Sequence, residues 1–143
     1  MGRLPGWIRR IAVHIAAPSY SVGAICVVVR DDGARLLIRQ SYRGGWGCPG
    51  GLLKRGEDAA DAARRETLEE TGMAVVLDGP PRVVVDPGPR RVDVIFRARP
   101  ADPAGLGLST ASPEIDEARW FAADEPLPPL QPETARALRE ILG

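Results

Sequence analysis

The sequence predicts an α+β domain, and three observations carry that reading. Apolar, β-branched runs recur at residues 20–30, 35–40, 90–99 and 114–121, bounded by Gly, Pro, Asp or Ser; such runs suit strands of a sheet. A stretch without Gly or Pro, residues 57–71, suits a helix in the middle of the chain, and residues 133–142 suit a second at its end. The 143 residues contain no internal repeat and no linker that would mark a boundary, so residues 1–143 are expected to form one domain. Strands in mixed order with one central and one terminal helix read as α+β.

In chain order, residues 1–19 form a lead-in. Trp7, Ile8, Ile11 and Ile15 recur at roughly helical spacing, which fits a short helix packed on the domain; an irregular arm fits equally. Residues 20–30 (YSVGAICVVVR) read as a buried strand, Asp31-Asp32-Gly33 as a turn, and residues 35–40 (RLLIRQ) as the returning strand of a hairpin. Residues 41–45 form a loop, and Trp46-Gly47-Cys48-Pro49-Gly50-Gly51 leads toward the central helix. Short strands are expected at 75–77 and 82–86, with Pro87 and Pro89 ending the second. Residues 90–99 (RRVDVIFRAR) alternate, with Val92, Val94, Phe96 and Ala98 on one face. Residues 100–112 are a Gly/Pro/Ala loop, expected to be mobile, and residues 114–121 close the sheet. After a proline-rich bend, the terminal helix at 133–142 offers Ala137, Leu138, Ile141 and Leu142 for packing.

The central helix carries the chemistry. Asp58 is suited to cap its start and Gly72 to end it. A helix turns about 100° per residue, so Glu66, Glu69 and Glu70 fall in one arc, with Ala59, Ala62 and Ala63 on the same side. Like charges at this spacing cost roughly a few tenths of a kcal/mol per pair. The stripe therefore calls for a cation. Hard divalent ions take oxygen ligands, and Mg2+ binds a few carboxylates together with substrate phosphates. The glycines at 50 and 51 allow unusual backbone angles and let a main-chain carbonyl come close to a ligand.

Residues 51–73 resemble the Nudix box: glycine, five residues, glutamate, seven residues, Arg-Glu, an aliphatic, any residue, Glu-Glu, any residue, glycine, an aliphatic. Here Gly51, Glu57, Arg65-Glu66, Glu69-Glu70, Gly72 and Met73 match, and Thr67 is the one departure. The Trp-Gly-x-Pro-Gly-Gly run before the box extends the likeness, with Cys48 in place of a plain hydrophobe. The resemblance implies an α/β/α sandwich with a mixed sheet. It implies a Mg2+-dependent hydrolase, with Mn2+ as a substitute, that cleaves the diphosphate of a nucleoside diphosphate linked to another moiety. Nucleoside triphosphates, ADP-ribose and nucleotide sugars all fit that description. In the family, Glu66 and Glu70 would ligate metal. Glu69 would be a ligand or the general base, the Gly51 carbonyl would contact metal, and Glu57 and Arg65 would pair to orient the ligands. The segment 112–121 resembles one from which a further acid reaches the metals, Glu114 before Glu117. Pro89 lies where the family associates a proline with ADP-ribose hydrolases, although Pro80, Pro81 and Pro87 crowd the same region. A non-catalytic nucleotide-sugar sensor is the alternative, and an isoprenoid diphosphate isomerase using Cys48 a more distant one.

Composition bounds the remainder. Formal net charge is zero, with 19 basic and 19 acidic residues, which argues against a broad surface for duplex nucleic acid. Arg39, Arg43, Arg90 and Arg91 remain candidates to contact phosphates. Cys26 and Cys48 form no CxxC pair, so no disulfide framework is expected and a reducing cytoplasm is the default. Arg3, Arg9 and Arg10 before a short apolar stretch faintly mimic a signal peptide, but His14 interrupts the stretch and Pro18 follows it. His14 reads as structural, and one histidine leaves no zinc set. No run is long enough to span a membrane. The expected partner is a small nucleotide, with a homodimer left open.

Overall fold

The computed structural model describes residues 3–143; the side chains of His14 and Ile15 lie outside the described residues. The elements run α1 (Gly6–Ala16), β1 (Ser21–Val28), β2 (Arg35–Gln40), β3 (Trp46–Gly47), β4 (Gly50–Leu52), α2 (Ala59–Thr71), β5 (Val75–Leu77), β6 (Arg82–Asp86), β7 (Arg91–Pro100), β8 (Ile115–Phe121) and α3 (Pro132–Leu142). Each strand and helix expected from the sequence is present, within a residue or two of its anticipated ends.

Two sheets result. The larger is mixed and five-stranded: β1 pairs antiparallel with β4 and parallel with β7, and β7 pairs antiparallel with both β5 and β6. The smaller is antiparallel, in the order β3-β2-β8. The hairpin expected between residues 20–30 and 35–40 does not form. β1 and β2 meet only at a bridge between Val29 and Arg35 and then enter different sheets. The reason is that β4 and β7 already take both edges of β1, which leaves β2 to pair with β3 and β8.

Helices cover both faces of the larger sheet. On one, Ala62 and Ala63 of α2 pack against Ala24, Cys26, Val28, Phe96 and Ala98. On the other, Ala137 and Leu138 of α3 pack against Ile25, Val27 and Ile95. This is the helix–sheet–helix sandwich. It also corrects the simple alternation expected of residues 90–99, because Asp93 and Ile95 are buried as well as Phe96 and Ala98. A strand covered on both faces has no polar side. The full burial of Ala62 and Ala63 shows why small residues recur there: they let α2 lie close on the strands.

Local signals at the ends of α2 act as anticipated. The Asp58 carboxylate accepts from Asp61 N at 2.7 Å, and Gly72, at φ 72°, donates its N–H to Leu68 O at 2.9 Å. Thr67 is fully buried, and its hydroxyl donates to Ala63 O at 2.8 Å within the helix. The loop after β7 is tied to the domain: Ser109 N donates to Thr71 O at 2.9 Å, and Trp120 Nε1 to Leu106 O at 3.1 Å. In the lead-in a helix forms, but it does not pack as expected, since Trp7 and Ile11 are 60% and 50% exposed. Among the described residues no helix is long and apolar enough to cross a membrane.

Candidate active site

The site gathers where the C-terminal half of α2 meets the backbone of β4. Gly50 N donates to Glu70 Oε1 at 2.9 Å, which ties the helix to the strand. A Cβ at Gly50 would collide with the Ala24 carbonyl oxygen, and one at Gly51 would sit 2.7 Å from the Glu66 carboxylate. Neither glycine has a left-handed φ. Their requirement is therefore space, not unusual backbone angles: no larger residue lets β4 lie this close to β1 on one side and Glu66 on the other.

Arg65 organises the outer half of the cluster. Its Nε and Nη2 grip the Glu57 carboxylate at 2.8 Å each, while Nη1 reaches Glu66 at 2.8 Å and Glu69 at 3.2 Å. The Arg65 guanidinium, helped by Lys54 N, holds the Glu57 carboxyl down at about 2, and Glu57 in turn raises Arg65 further. The expected pairing of Glu57 with Arg65 is present, and through it Arg65 orients two of the three stripe carboxylates.

The three glutamates of the stripe are not equivalent. The Glu66 side chain is largely covered, the Glu69 side chain is half exposed, and Glu70 is buried. Burial pushes the Glu70 carboxyl up to about 8; the Gly50 N–H opposes this, and the charges of Glu66, Glu114 and Glu69 add to it. Glu114, just before β8, is thus within electrostatic reach of the cluster, whereas Glu117 is engaged by Arg39 at 3.6 Å. Trp120 and Phe121 serve packing: Phe121 is buried edge-on against Trp46, and the Trp120 ring lies under the Arg30 guanidinium.

Whether these residues fit a metal ion can be judged from their chemistry. Among the described residues no three acidic side chains stand as a ready-made ligand set, because Arg65 draws Glu66 and Glu69 toward itself. The donors are nonetheless hard oxygens, and the buried Glu70 carboxylate has no cationic side chain of the protein against it. That combination suits a hard divalent ion and not a soft one.

Across β4 from the carboxylates lies a cleft of about 170 Å³, bordered by Gly50 to Leu52 and lined by Gln40, Tyr42, Arg43, Arg91, Gln131 and Glu133. Gln131 Nε2 donates to Gln40 Oε1 at 3.1 Å. Of the arginines proposed to contact phosphates, Arg39 is paired with Asp116 and Glu117, Arg43 with Glu133 at 2.5 Å, and Arg91 with Asp93 at 2.5 Å. Arg90 occupies the β6–β7 turn with φ 55°. Sequence reasoning missed Gln131 and Glu133: they sit at the start of α3, far along the chain from Gln40 and Arg43, and no local pattern marks them. A larger cleft, lined by Arg30, Asp32, Arg99, Pro100, Pro103 and Leu106, lies at the opposite ends of β1 and β7.

Comparison with known proteins points the same way. Residues 19–141 match the NUDIX domain. A MutT-like protein of Streptomyces ambofaciens is 35% identical over 108 residues, covering 76% of this chain and 68% of that protein. A CMP-5'-(N-acetyl-N-hydroxy-3-aminopropyl)phosphonate hydrolase of Streptomyces rubellomurinus is 37% identical, covering 72% of this chain and 52% of its own length. Among solved structures, a MutT NUDIX hydrolase from Burkholderia pseudomallei superposes with a TM-score of 0.69 at 28% identity, over 87% of this chain and 99% of that one.

Proposed function

The chain belongs to the Nudix family of hydrolases, and from that membership we propose that it is a Mg2+-dependent enzyme cleaving the diphosphate of a nucleoside diphosphate linked to a further group. Nucleoside triphosphates, ADP-ribose and nucleotide sugars are the substrate classes. The observation that carries the reading is the convergence on Gly50 and Gly51 of Glu66 and a buried Glu70 that, among the described residues, has no cation against it, while Glu57 of the same box is paired with Arg65.

Glu66 and Glu70 would hold the metal, with the Gly51 carbonyl and Glu114 as further ligands. A Mg2+ ion held by these residues would supply neutralisation of phosphoryl charge and activation of water. The chain's own groups do the remainder. Arg65, fixed by Glu57, sets the directions of Glu66 and Glu69. Glu69, the most accessible carboxylate of the stripe, would accept the proton of the attacking water, a role its exposure supports. Across β4, the amides of Gln40 and Gln131 and the ring of Tyr42 suit the nucleoside half. The products are a nucleoside monophosphate and a second phosphorylated fragment, or pyrophosphate from a triphosphate.

The test is phosphate release across nucleoside triphosphates, ADP-ribose, nucleotide sugars and dinucleoside polyphosphates, with coupled phosphatases. Turnover that requires Mg2+ and collapses in Glu70→Gln supports the reading and names the class. A folded protein that binds a nucleotide and turns over none favours the sensor instead.

A further inference from the structure

The larger sheet has one edge with no described partner. β6 pairs with β7 along one side only, and no hydrogen bond from elsewhere in the described chain reaches the backbone of Arg82 to Asp86 on the other. α3 lies chiefly on β1 and β7 and α2 on β1 and β4, so neither helix covers this edge. The strand reads Arg-Val-Val-Val-Asp. Val84 packs inward against the core under α3, while Val83 and Val85, on the opposite face, are 60% and 57% exposed. The register sets Val85 beside Val92 and Val22, and Val83 beside Val94; Val94 packs against the core beneath α2, and Val83 and Val85 extend that apolar face outward to the sheet edge.

Exposed edge strands are usually guarded by an inward charge, an internal proline, a bulge or a covering segment. β6 has none of these between Val83 and Val85; Pro80, Pro81 and Pro87 flank it without interrupting it. What it has instead is self-complementarity. Paired antiparallel with a second copy about Val84, it sets Arg82 of each copy opposite Asp86 of the other, and Val83 opposite Val85. Both ends gain opposite-charge pairs and the middle gains valine pairs, each a recognised source of sheet stability. The arrangement is two-fold symmetric and uses one patch on both copies, as an isologous interface requires. Asp86 already meets Arg136 of α3 at 3.4 Å, and in the paired arrangement it would share its charge between Arg136 and Arg82 of the second copy.

We propose that the chain forms a symmetric dimer through antiparallel pairing of β6 with β6 of a second copy, joining two five-stranded sheets into one. This does not depend on the hydrolase reading.

Sedimentation equilibrium across a range of protein concentrations tests it, with a concentration-dependent dimer expected for the wild type. Arg82→Asp places acid against acid at both ends of the pairing, and Asp86→Arg places arginine against arginine. Each variant alone is expected to weaken the dimer by at least about tenfold. Mixed in equal amounts, the two variants restore opposite charges at both ends, and a heterodimer is expected to form. Amide exchange gives a readout that needs no variant: edge-facing amides among residues 82–86 are expected to exchange more slowly at high than at low concentration. A wild type that is monomeric throughout overturns the proposal. So does a dimer that neither variant weakens, a mixture that fails to associate, or exchange at β6 that ignores concentration. Should Asp86→Arg melt early because it meets Arg136, Arg82→Asp and the exchange rates still decide the matter.

Discussion

Glu57 and Glu70 bracket the same short helix, and the protein treats them in opposite ways. Glu57 sits in the two-pronged grip of Arg65 and is held down at about 2; Glu70 is buried and pushed up to about 8. The difference is one of supply. Arg65 gives its charge to Glu57, Glu66 and Glu69 and forms no ion pair with Glu70, whose one hydrogen-bond donor among the described residues is Gly50 N–H. Position sharpens the contrast: Glu57 precedes the positive end of α2, while Glu70 lies in the last turn, where the helix dipole disfavours an anion. One end of the box is electrically complete, and the other is short of a cation.

The comparison is broken most directly at Glu70. Replacing it by Gln keeps an oxygen for Gly50 N–H and removes the carboxyl that could ionise against a metal ion. Turnover is expected to fall by about 10³-fold, on the scale of losing a principal electrostatic group. Without Mg2+ the variant is expected to melt no lower than the wild type, and a rise in Tm with Mg2+ is expected for the wild type and not for the variant. A large loss of metal-free stability would instead mark Glu70 as a structural residue.

Gly51 comes next, because it sets how near β4 stands to Glu66. The Cβ of Gly51→Ala would have to share space with a carboxylate 2.7 Å away. Displacing a site group by about 1 Å can cost about 10²-fold, and a loss of that size in kcat with weaker Mg2+ activation is expected. Wild-type kinetics would mean that Glu66 moves aside freely and does not hold the metal. Arg65→Lys tests the complete end. A single ammonium cannot grip Glu57 in two places and reach Glu66 and Glu69 as well. Loss of a group that orients ligands costs about 10–100-fold. The loss should fall on kcat and leave KM near wild type, since Arg65 is assigned to the ligands and not to substrate.

The sequence displayed the box in full because its parts are local: Glu57, Arg65, Glu66, Glu69 and Glu70 are brought together by one turn and one helix. It also displayed the strands, whose apolar runs are continuous. It misled where partners are distant. Nothing in residues 20–40 reveals that β4 and β7 claim both edges of β1, so the short turn at Asp31-Asp32-Gly33 suggested a hairpin that the sheets do not contain. The inequality of the three stripe glutamates was hidden for the same reason, because the Gly50 N–H of β4 and the charge of Glu114, which both act on Glu70, are supplied from outside the helix. The lining of the cleft by Gln131 and Glu133 depends on where α3 begins, which local spacing does not encode.

The smallest effect is expected at Thr67, the box position where an aliphatic residue is usual. Thr67 lies on the packed side of α2, fully buried, with its hydroxyl spent on Ala63 O and its neighbour Cys26 raised to about 11 by burial. Thr67→Val removes a donor and leaves no acceptor stranded, because the helix still satisfies Ala63 O. The change in stability should be about 1 kcal/mol or less, read as a Tm shift of a few degrees at most, with kcat, KM and Mg2+ dependence unchanged. If Thr67→Val instead cost as much activity as Arg65→Lys, the seating of α2 on the sheet would govern the site. The contrast between its two ends would then be one of position before it is one of charge.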